Sequence, residues 1–577
     1  MTRMQCGFVW LGLVCAGPLA AEEAPPQLAH RWVYVSVNLL VDKNVTDTVA
    51  LFERAAKAGY NGIVLADSKF MRWGDLPDKY AQNVRQVREA ARKNKLHLIA
   101  AVFPIGYSEG LLAHDPNLAE GLPVRDAPFV VRGGKLVPGD ESAQLAGGGF
   151  EEYRKDMPTG WAWADKPGEI TFIDTKVVHG GKASLRMQDI GRADPQHGHG
   201  RVMQKLKVAP FRYYHVSAWV KTEDFASAEE VRIQLLSGRR SLNYANPGIA
   251  PTQDWKEVHV AFNSLDSSEV SLYLGVWGGK GGTIWWDDVR LEPGGLVNVV
   301  RRAGAPFTAT SEDGKTEYVE GKDFAAAFDP LLGSKPWMGA YSVWHEPPTV
   351  AVPADSRLKD GQKVLLSYCH TAIIDKSQVM CCMSEPKVYD ILDWQAAQVK
   401  KNLAPDGYFM QHDEIRVQGW DDSCAKGGLT CGQILAGNVK RCTDILRKHD
   451  AGRPVYVWSD MFDPSHNASK TGPYYLVKGE GPWQGSWEGL DANVTIVNWH
   501  GHAAGRLESL QFFAGRGHRQ ILAGYYDGPV DRIGGWLADA AKVKGVIGVM
   551  YTTWRNDYSN LEKFAAEVER APVPDRR

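Results

Sequence analysis

Carboxylates and aromatic side chains recur in this sequence directly after short apolar segments. Five such segments lie after residue 400, and they end in His412-Asp413-Glu414, Trp458-Ser459-Asp460, Asn498-Trp499-His500, Tyr525-Tyr526-Asp527 and Thr552-Thr553-Trp554. A random surface would not confine these residue types to the ends of apolar segments. We therefore expect one site that combines acid–base chemistry with flat apolar surfaces.

Asp413 and Glu414 are adjacent carboxylates at the end of a predicted strand. Neighbours within a strand point to opposite faces, but the backbone can turn where the strand gives way to a loop. Two close carboxylates repel each other, which raises the proton affinity of one and prepares it as an acid near neutral pH. The alternative is a helix-capping or surface Asp-Glu pair.

Strands and helices alternate at both ends of the chain. Apolar strand segments at 31–39, 62–66 and 96–102 are separated by helical patterns at 45–58 and 80–94. Five further strand segments follow residue 400, at 407–412, 454–459, 494–499, 520–526 and 546–552. Three plus five strands predict an α/β fold, a (β/α)8 TIM barrel interrupted after its third strand by an all-β jelly-roll domain.

The interruption alternates in polarity every few residues and is rich in Gly, Pro and Asp turns. It resembles the jelly-roll carbohydrate-binding modules of glycosidases in an opening GGFE, HGGKASLRM at 179–187, YYHVSAWVKT at 213–222 and GGTIWWDDVRLEP at 281–293. The resemblance implies a β-sandwich, and a pure packing module remains the alternative to sugar binding. The expected division is a first barrel part at 30–112, the sandwich at 149–293, a β-rich connection at 296–400 and a second barrel part at 401–572.

Composition excludes some classes of partner. The 577 residues carry 66 Lys+Arg against 68 Asp+Glu, so no basic excess favours nucleic acid or an anionic membrane surface. A hydrophobic content of 44% with 23% charged residues is typical of a globular protein. The 20 Trp exceed the 18 Phe, which suits stacking on sugar rings, although core packing is the alternative.

The N-terminus has the pattern of a signal peptide at residues 1–21: Arg3, an apolar run at 8–17, then Ala20 and Ala21. We therefore expect an exported protein, periplasmic or secreted, with no membrane insertion. Six cysteines follow this leader, and Cys424 with Cys431 are the best disulfide candidates. No CxxC pair or HExxH motif occurs, so we predict no metal site.

The strand-end residues resemble those of exo-acting β-N-acetylhexosaminidases of glycoside hydrolase families 20 and 123. The resemblance rests on HDE at 412–414, WSDMF at 458–462, Trp499, YYD at 525–527 and MYTTW at 550–554. It implies a retaining, substrate-assisted hydrolysis that needs no cofactor and acts on a glycan with a terminal β-N-acetylhexosamine.

The same resemblance implies a role for each matching residue. Glu414 protonates the leaving oxygen and then activates water, while Asp413 holds the 2-acetamido N–H. Tyr525 donates to the acetamido carbonyl oxygen. The three indoles that enclose the N-acetyl methyl and stack on the sugar are Trp458, Trp499 and Trp554.

Three further residues, His412, Asp460 and Asp527, are candidates for substrate binding, and helix capping is the alternative for the two aspartates. Two departures bear on the sugar. Gln411-His412 replaces the usual Gly-Gly, and Trp554-Arg555-Asn556-Asp557 lacks the Trp-x-Glu expected there. Since these positions commonly touch O4 and O6, GalNAc is favoured over GlcNAc, as in the bacterial β-N-acetylgalactosaminidases that the wider chain resembles.

Two other functions stay open. A glycosidase acting on non-acetylated sugars would use two separated carboxylates, Glu414 with Asp460 or Asp527. A non-catalytic carbohydrate-binding protein would have the same barrel and jelly roll but would not hydrolyse glycosides. Trp344, His345, Glu346 and His370 could roof the site or be ordinary loop residues, and Arg416 could pair with Glu414. The sequence does not indicate an oligomeric state.

Overall fold

The computed structural model describes residues 28–570 except 140–141, 193–197, 244–246, 280, 376, 470–471 and 473–474. The signal peptide expected at residues 1–21 lies outside the described residues. Among the residues that are described, no helix combines the length and the apolar character needed to cross a bilayer.

Eight parallel strands close into a barrel. In chain order, the barrel strands are His30–Ser36, Gly62–Ala66, His97–Val102, Gly407–Met410, Val455–Trp458, Thr495–Asn498, Gln520–Ala523 and Val546–Tyr551. Their residues are buried almost throughout, as expected for parallel strands covered on both faces. Because the strands run in one direction, all of their carboxyl ends lie at the same rim.

Helices connect most of the barrel strands. The longer ones are Asp42–Lys57, Asp78–Lys93, Pro386–Leu403, Cys431–Asp450, Ala503–Gly515, Ile533–Ala540 and Leu561–Arg570, and two single turns are Glu109–Leu112 and Asp422–Ala425. The helix Asp78–Lys93 buries Tyr80, Val84, Val87 and Ala91, a spacing of three to four residues that forms one apolar face.

The barrel interior is filled by large aromatic side chains. Trp32 lies edge-on to Tyr456 with ring centroids 4.8 Å apart, and Phe409 lies edge-on to Trp458 at the same separation. All four side chains are at most 5% exposed. Core packing therefore accounts for part of the high Trp content.

The described chain between the third and fourth barrel strands forms three large antiparallel sheets and a two-stranded one, Tyr153–Arg154 with Met157–Pro158. One five-stranded sheet has the order Gln253–Asn263, Tyr213–Glu223, Thr283–Pro293, Ser184–Gln188, Thr171–Asp174. The other five-stranded sheet has the order Arg240–Ser241, Val231–Ser237, Glu269–Val276, Gly200–Lys207, Trp163–Ala164. A third sheet, of seven strands, contains Leu122–Arg132, Lys135–Pro138, Val299–Val300, Thr308–Thr310, Glu317–Tyr318, Val350–Ala351 and Lys363–His370.

The expected fold class, a (β/α)8 TIM barrel interrupted by one jelly-roll domain, is wrong. Strict helix–strand alternation fails between the fifth and sixth barrel strands, where the described residues form no α-helix but the 3-10 turns Asp460–Phe462 and Ser486–Gly489 and the short strand Leu476–Val477. This crossover is rich in Gly and Pro, which disfavour helix. The insertion also contributes the seven-stranded sheet, so antiparallel strands outnumber barrel strands among the described residues.

The predicted Cys424–Cys431 disulfide is also wrong. All six cysteines of the described chain are buried and free. The Cys431 sulfur faces the carbonyl oxygens of Gln418 and Lys478, whereas the Cys424 sulfur lies 3.6 Å from that of Cys382. The two residues open different helices, Asp422–Ala425 and Cys431–Asp450, and their side chains are directed to different neighbours.

Candidate active site

A cavity of about 450 Å³ opens at the rim formed by the carboxyl ends of the barrel strands. It is lined by Tyr34, Pro104, Tyr107, Glu109, Asp375, Ser377, Gln378, Gln411, Asp413, Glu414, Trp458, Trp499, Tyr526 and Trp554. Its volume is in the range of small-molecule sites, and its lining combines carboxylates with aromatic rings.

Asp413 and Glu414 both face this cavity although they are adjacent in the chain. The fourth barrel strand ends at Met410, and Glu414 has a φ of 49°, in the left-handed region. Bulky residues seldom adopt this conformation, and such strain is concentrated at functional sites. The turn that it makes brings two neighbouring carboxyl groups to one cavity.

The chain after the third barrel strand packs tightly against this turn. A Cβ atom at Gly106 would lie 1.7 Å from the backbone oxygen of Asp413, so a side chain cannot be placed there without moving the backbone. The Gln378 amide completes the support by donating to the carbonyl oxygens of Gly106, at 2.7 Å, and Glu414, at 3.0 Å.

Glu414 has two charged or polar partners at the cavity wall. The Arg416 guanidinium lies 2.8 Å from one carboxylate oxygen, and the Tyr107 hydroxyl donates to the other. Desolvation raises the pKa of Glu414 above its usual value, and Asp460 and Asp375 add to the rise, while Arg416 and Tyr107 oppose it. The pairing of Arg416 with Glu414, one of the possibilities that the sequence left open, is therefore present.

The pKa of Asp413 lies well above its usual range because burial desolvates the carboxyl group and because Asp460 and Glu414 are nearby. Arg416 opposes this rise. Within the described residues, no side chain donates a hydrogen bond to the Asp413 carboxylate. The Asp413 oxygens are thus available to a donor on a ligand.

Asp460 lies behind the cavity and is fully buried. It accepts hydrogen bonds from the Glu414 backbone N–H at 3.0 Å, from the Asn467 amide at 2.9 Å and from the Trp499 indole N–H at 3.0 Å. Burial raises the pKa of this carboxyl group. The sequence had suggested that Asp460 binds the substrate. In the structure it does not line the cavity but positions Glu414 and Trp499.

The three predicted tryptophans come together at the cavity. Trp458 and Trp554 lie 6.0 Å apart between ring centroids, and Tyr34 contacts both of them. Trp499 lies parallel to Tyr526 with centroids 5.9 Å apart and planes inclined by 4°. Trp458 is buried whereas Trp554 is 46% exposed, so the rings form a wall that runs from the floor to the mouth.

Two other predicted residues, His412 and Tyr525, do not line the cavity. His412 is buried with Nε2 2.9 Å from the Asn438 amide oxygen, and desolvation lowers its pKa to about 4. Tyr525 packs on Tyr551 with ring centroids 4.2 Å apart. The seventh strand already ends at Ala523, so both tyrosines lie in the loop that follows it. Tyr526, next to Tyr525 in the chain, is the tyrosine that lines the cavity.

Asp527 supports the mouth of the cavity without lining it. Its carboxylate accepts hydrogen bonds from the Thr553 hydroxyl, at 2.5 Å, and from the Trp554 backbone N–H, at 2.7 Å. It therefore fixes the loop that carries Trp554.

The residues considered as a roof lie elsewhere. Trp344 stacks on His215 of the insertion with ring centroids 3.8 Å apart, and His345 pairs with Asp329. His370 is buried against Tyr213. These side chains join the inserted sheets to one another.

Sequence reasoning missed Tyr34, Tyr107 and Gln378, whereas Gln411 lines the cavity at a position that the resemblance had already linked to the sugar. Tyr34 lies within the first barrel strand and accepts a hydrogen bond from Gln411 at 3.2 Å. Tyr107 follows the third strand, the same kind of position that identified Asp413, so its location was a usable signal. No local pattern marks Gln378, which lies in the insertion.

Residues 142–282 match a family described as a carbohydrate binding domain. The match covers less than half of the chain and confirms the resemblance of this segment to carbohydrate-binding modules. The segment inserted between the third and fourth barrel strands is therefore similar to carbohydrate-binding domains. No curated protein matches the chain.

Several solved structures are similar to parts of this chain. A rhamnosidase from Novosphingobium sp. PP1Y is 11% identical, with 91% of this chain and 55% of that chain covered and a TM-score of 0.31. A chitobiase from Flavobacterium johnsoniae is 17% identical, with 36% and 32% covered and a TM-score of 0.25. A structure titled "CBM4 structure and function" is 17% identical, with 26% and 99% covered and a TM-score of 0.17. At TM-scores this low, none of these likenesses bears on what this chain acts on.

Proposed function

We propose that this protein is a retaining glycoside hydrolase that removes terminal β-linked N-acetylhexosamine by substrate-assisted catalysis. The observation that carries the proposal is the pair Asp413 and Glu414, with raised pKa values, facing one cavity walled by Trp458, Trp499 and Trp554. A raised pKa lets the Glu414 carboxyl group keep its proton to higher pH and so act as an acid, and the indole faces suit a sugar ring with its N-acetyl methyl.

In the first step, the carbonyl oxygen of the substrate's 2-acetamido group attacks C1 and the bond from C1 to the leaving oxygen breaks. Protonated Glu414 transfers its proton to that oxygen. The Asp413 carboxylate accepts a hydrogen bond from the acetamido N–H and stabilises the positive charge of the oxazolinium ring. Proximity within one molecule supplies the acceleration that an enzyme nucleophile otherwise provides.

In the second step, Glu414 is a carboxylate and takes a proton from water as the water oxygen bonds to C1. The bond from C1 to the acetamido oxygen breaks, which restores the acetamido group and the β-configuration. Two displacements at C1 retain its configuration. Tyr526, at the mouth of the cavity, takes the hydrogen-bonding role that was expected of Tyr525.

The hydrogen bonding of the other carboxylates disfavours the two-carboxylate alternative. Asp460 already accepts from Glu414, Asn467 and Trp499, and Asp527 accepts from Thr553 and Trp554. A nucleophile or general base needs an oxygen directed at the substrate. Four carboxylates line the cavity: Glu109, Asp375, Asp413 and Glu414. Asp413 is the one that neighbours Glu414 in the chain, whereas Asp375 pairs with Arg416 and Glu109 accepts from Ser377.

The epimer preference is part of the proposal. Gln411 lines the cavity at the position where the resembled enzymes have glycine, and its amide brings a polar group to the sugar. We favour GalNAc over GlcNAc, because an axial O4 would meet a different set of donors from an equatorial one.

A panel of p-nitrophenyl β-glycosides tests the proposal. We expect hydrolysis of the β-GalNAc substrate, slower hydrolysis of β-GlcNAc and none of β-Gal, with inhibition by a galacto-configured thiazoline. Equal hydrolysis of β-Gal would remove the substrate-assisted mechanism. No turnover of any glycoside in the panel would favour a non-catalytic carbohydrate-binding protein.

A further inference from the structure

A second cluster of reactive side chains lies outside the cavity. Glu120, Cys382, Asp421 and Cys424 are at most 3% exposed, and one potential ligand atom from each lies within 4.8 Å of the others. They come from three segments that are far apart in the chain. Glu120 precedes the strand Leu122–Arg132, Cys382 precedes the helix Pro386–Leu403, and the other two lie at the helix Asp422–Ala425.

Three of the six distances between these atoms match the edges of a small tetrahedron, and all six are within 4.8 Å. The two sulfurs are 3.6 Å apart, the Cys382 sulfur is 3.7 Å from an Asp421 oxygen, and the Cys424 sulfur is 3.5 Å from a Glu120 oxygen. Zinc binds sulfur at about 2.3 Å and carboxylate oxygen at about 2.0–2.2 Å, so tetrahedral coordination separates its ligands by about 3.3–3.8 Å. The three measured edges fall in this range.

We propose that Glu120, Cys382, Asp421 and Cys424 bind one zinc ion. Two thiolates and two carboxylates would place four negative charges in a buried volume. Arg302, which pairs with Asp421, offsets one of these charges, and a divalent ion would offset two others. Thiolate ligands select zinc over magnesium or calcium, and four protein ligands close the coordination sphere as in structural zinc sites.

Backbone and amide groups orient the carboxylates toward the centre of the cluster. Glu120 accepts from the N–H groups of Gly419 and Trp420 at 2.8 and 3.0 Å. Asp421 accepts from the Cys424 N–H at 3.1 Å. The Gln418 amide nitrogen lies 2.8 Å from the Cys424 sulfur. Such outer contacts commonly hold metal ligands in place.

The zinc site would stabilise the chain segments that hold Glu414 at the cavity. Cys382 lies four residues after Gln378, whose amide donates to the Glu414 carbonyl oxygen, and Asp421 lies on the segment that follows Arg416. A bound ion would cross-link both segments to the chain around Glu120. The role is structural, and it is independent of which reaction the cavity performs.

Zinc content measured by mass spectrometry of the full chain tests the proposal. The protein is reduced with a phosphine, stripped with a chelator, incubated with zinc alone and freed of loosely bound metal. We expect one zinc ion per chain for the wild type and for Cys442→Ser, the control, since Cys442 is buried outside the cluster. We expect the content to fall at least about tenfold in Cys382→Ser/Cys424→Ser.

Cobalt substitution gives a second measurement that does not depend on activity. Tetrahedral cobalt bound by thiolates shows sulfur-to-metal charge transfer, which we expect in the wild type and not in the double variant. If the double variant does not fold, the test rests on the wild-type cobalt spectrum and on the zinc content of the Glu120→Gln variant. Wild-type protein without tight zinc, or a double variant with undiminished zinc, would overturn the proposal. So would a Cys382–Cys424 disulfide that, once reduced, leaves a protein unable to bind zinc.

Discussion

Asp413 and Glu414 are neighbours whose carboxyl groups have different partners. Glu414 is held by Arg416 and Tyr107, while no described side chain donates to the Asp413 carboxylate. A held carboxyl group keeps a fixed position for proton transfer, and an open one can accept a hydrogen bond from a substrate amide. The difference in partners is the physical basis for giving the two residues different roles.

Replacing the proposed acid should slow the reaction according to the leaving group. For Glu414→Gln we expect kcat to fall by about 10²–10⁴ on a glycan or a methyl glycoside, because general acid catalysis contributes about that much. The loss should be smaller on p-nitrophenyl substrates, whose leaving oxygen needs little protonation. Steady-state kinetics on both substrates measure it. The matched control is Glu508→Gln, at an exposed helical position, and an equal loss on both substrates would contradict the acid role.

Arg416 should set the alkaline limb of the pH profile. Its positive charge lowers the pKa of Glu414, so Arg416→Met should raise that pKa further. Since the acid must be protonated, the variant should stay active to higher pH than the wild type. The pH dependence of kcat/KM on a substrate with a poor leaving group shows the shift, with Arg416→Lys as the charge-keeping control. An unmoved or lowered alkaline limb would contradict the assignment.

Asp413→Asn should separate activity from stability. The folded state raises the pKa of Asp413, so it prefers the protonated form, and the wild type loses stability as pH rises from the unfolded pKa toward the folded one. Asparagine carries no charge, so we expect a higher Tm than wild type at neutral pH together with a loss of activity of about 10²–10³. Melting curves from pH 4 to 8 measure it, and a Tm below that of the wild type at neutral pH would be the contrary result.

The ends of the strands carried most of the information in the sequence. Apolar segments predicted the barrel strands to within a few residues, and the residues after them included Asp413, Glu414 and the three tryptophans. Tyr525 was misplaced because its strand ends at Ala523, and side-chain alternation no longer applies beyond that point. Gln378 could not be assigned, since its contact with Glu414 joins residues far apart in sequence, whereas Tyr107 was overlooked although it follows the third strand.

The close approach of Gly106 to Asp413 makes a prediction for the loop after the third strand. Gly106→Ala would place a methyl group 1.7 Å from a backbone oxygen, so the strand-end turn must move. We expect a destabilisation of about 1–3 kcal/mol and a marked loss of activity. Gly437→Ala is the control, because that glycine is on a helix with open space around it. Denaturant unfolding and the aryl glycoside assay check both variants, and a fully active, stable Gly106→Ala would refute this account of the turn.

At the scale of the whole molecule, the inserted sheets are tied to one another by contacts that no local pattern foretells. Trp344, which follows the five-stranded sheets in sequence, stacks on both His215 and His259. The Gly- and Pro-rich sequence of the insertion indicated β-structure, but it did not indicate which strands pair. For the same reason, the seven-stranded sheet was not anticipated, because it joins Leu122–Arg132 to Lys363–His370 across the whole insertion.

We expect the segment that is similar to carbohydrate-binding domains to contribute glycan affinity through an aromatic patch formed by Trp163, Tyr273 and Trp277. Arg201 lies over both indoles, and Trp163 is 38% exposed. For Trp163→Ala we expect weaker retention on a polysaccharide column and unchanged hydrolysis of a p-nitrophenyl substrate. Trp255→Ala, on the other five-stranded sheet, is the matched control. Equal weakening in both variants would contradict a role for this patch.

The central claim is that the substrate's own amide makes the first bond at C1. Fluorination of the N-acetyl group tests it most directly, because each fluorine makes the carbonyl oxygen a poorer nucleophile while leaving the sugar ring unchanged. We predict that kcat/KM for p-nitrophenyl glycosides falls steeply from N-acetyl through N-fluoroacetyl and N-difluoroacetyl to N-trifluoroacetyl. A rate that does not change along this series would contradict the claim.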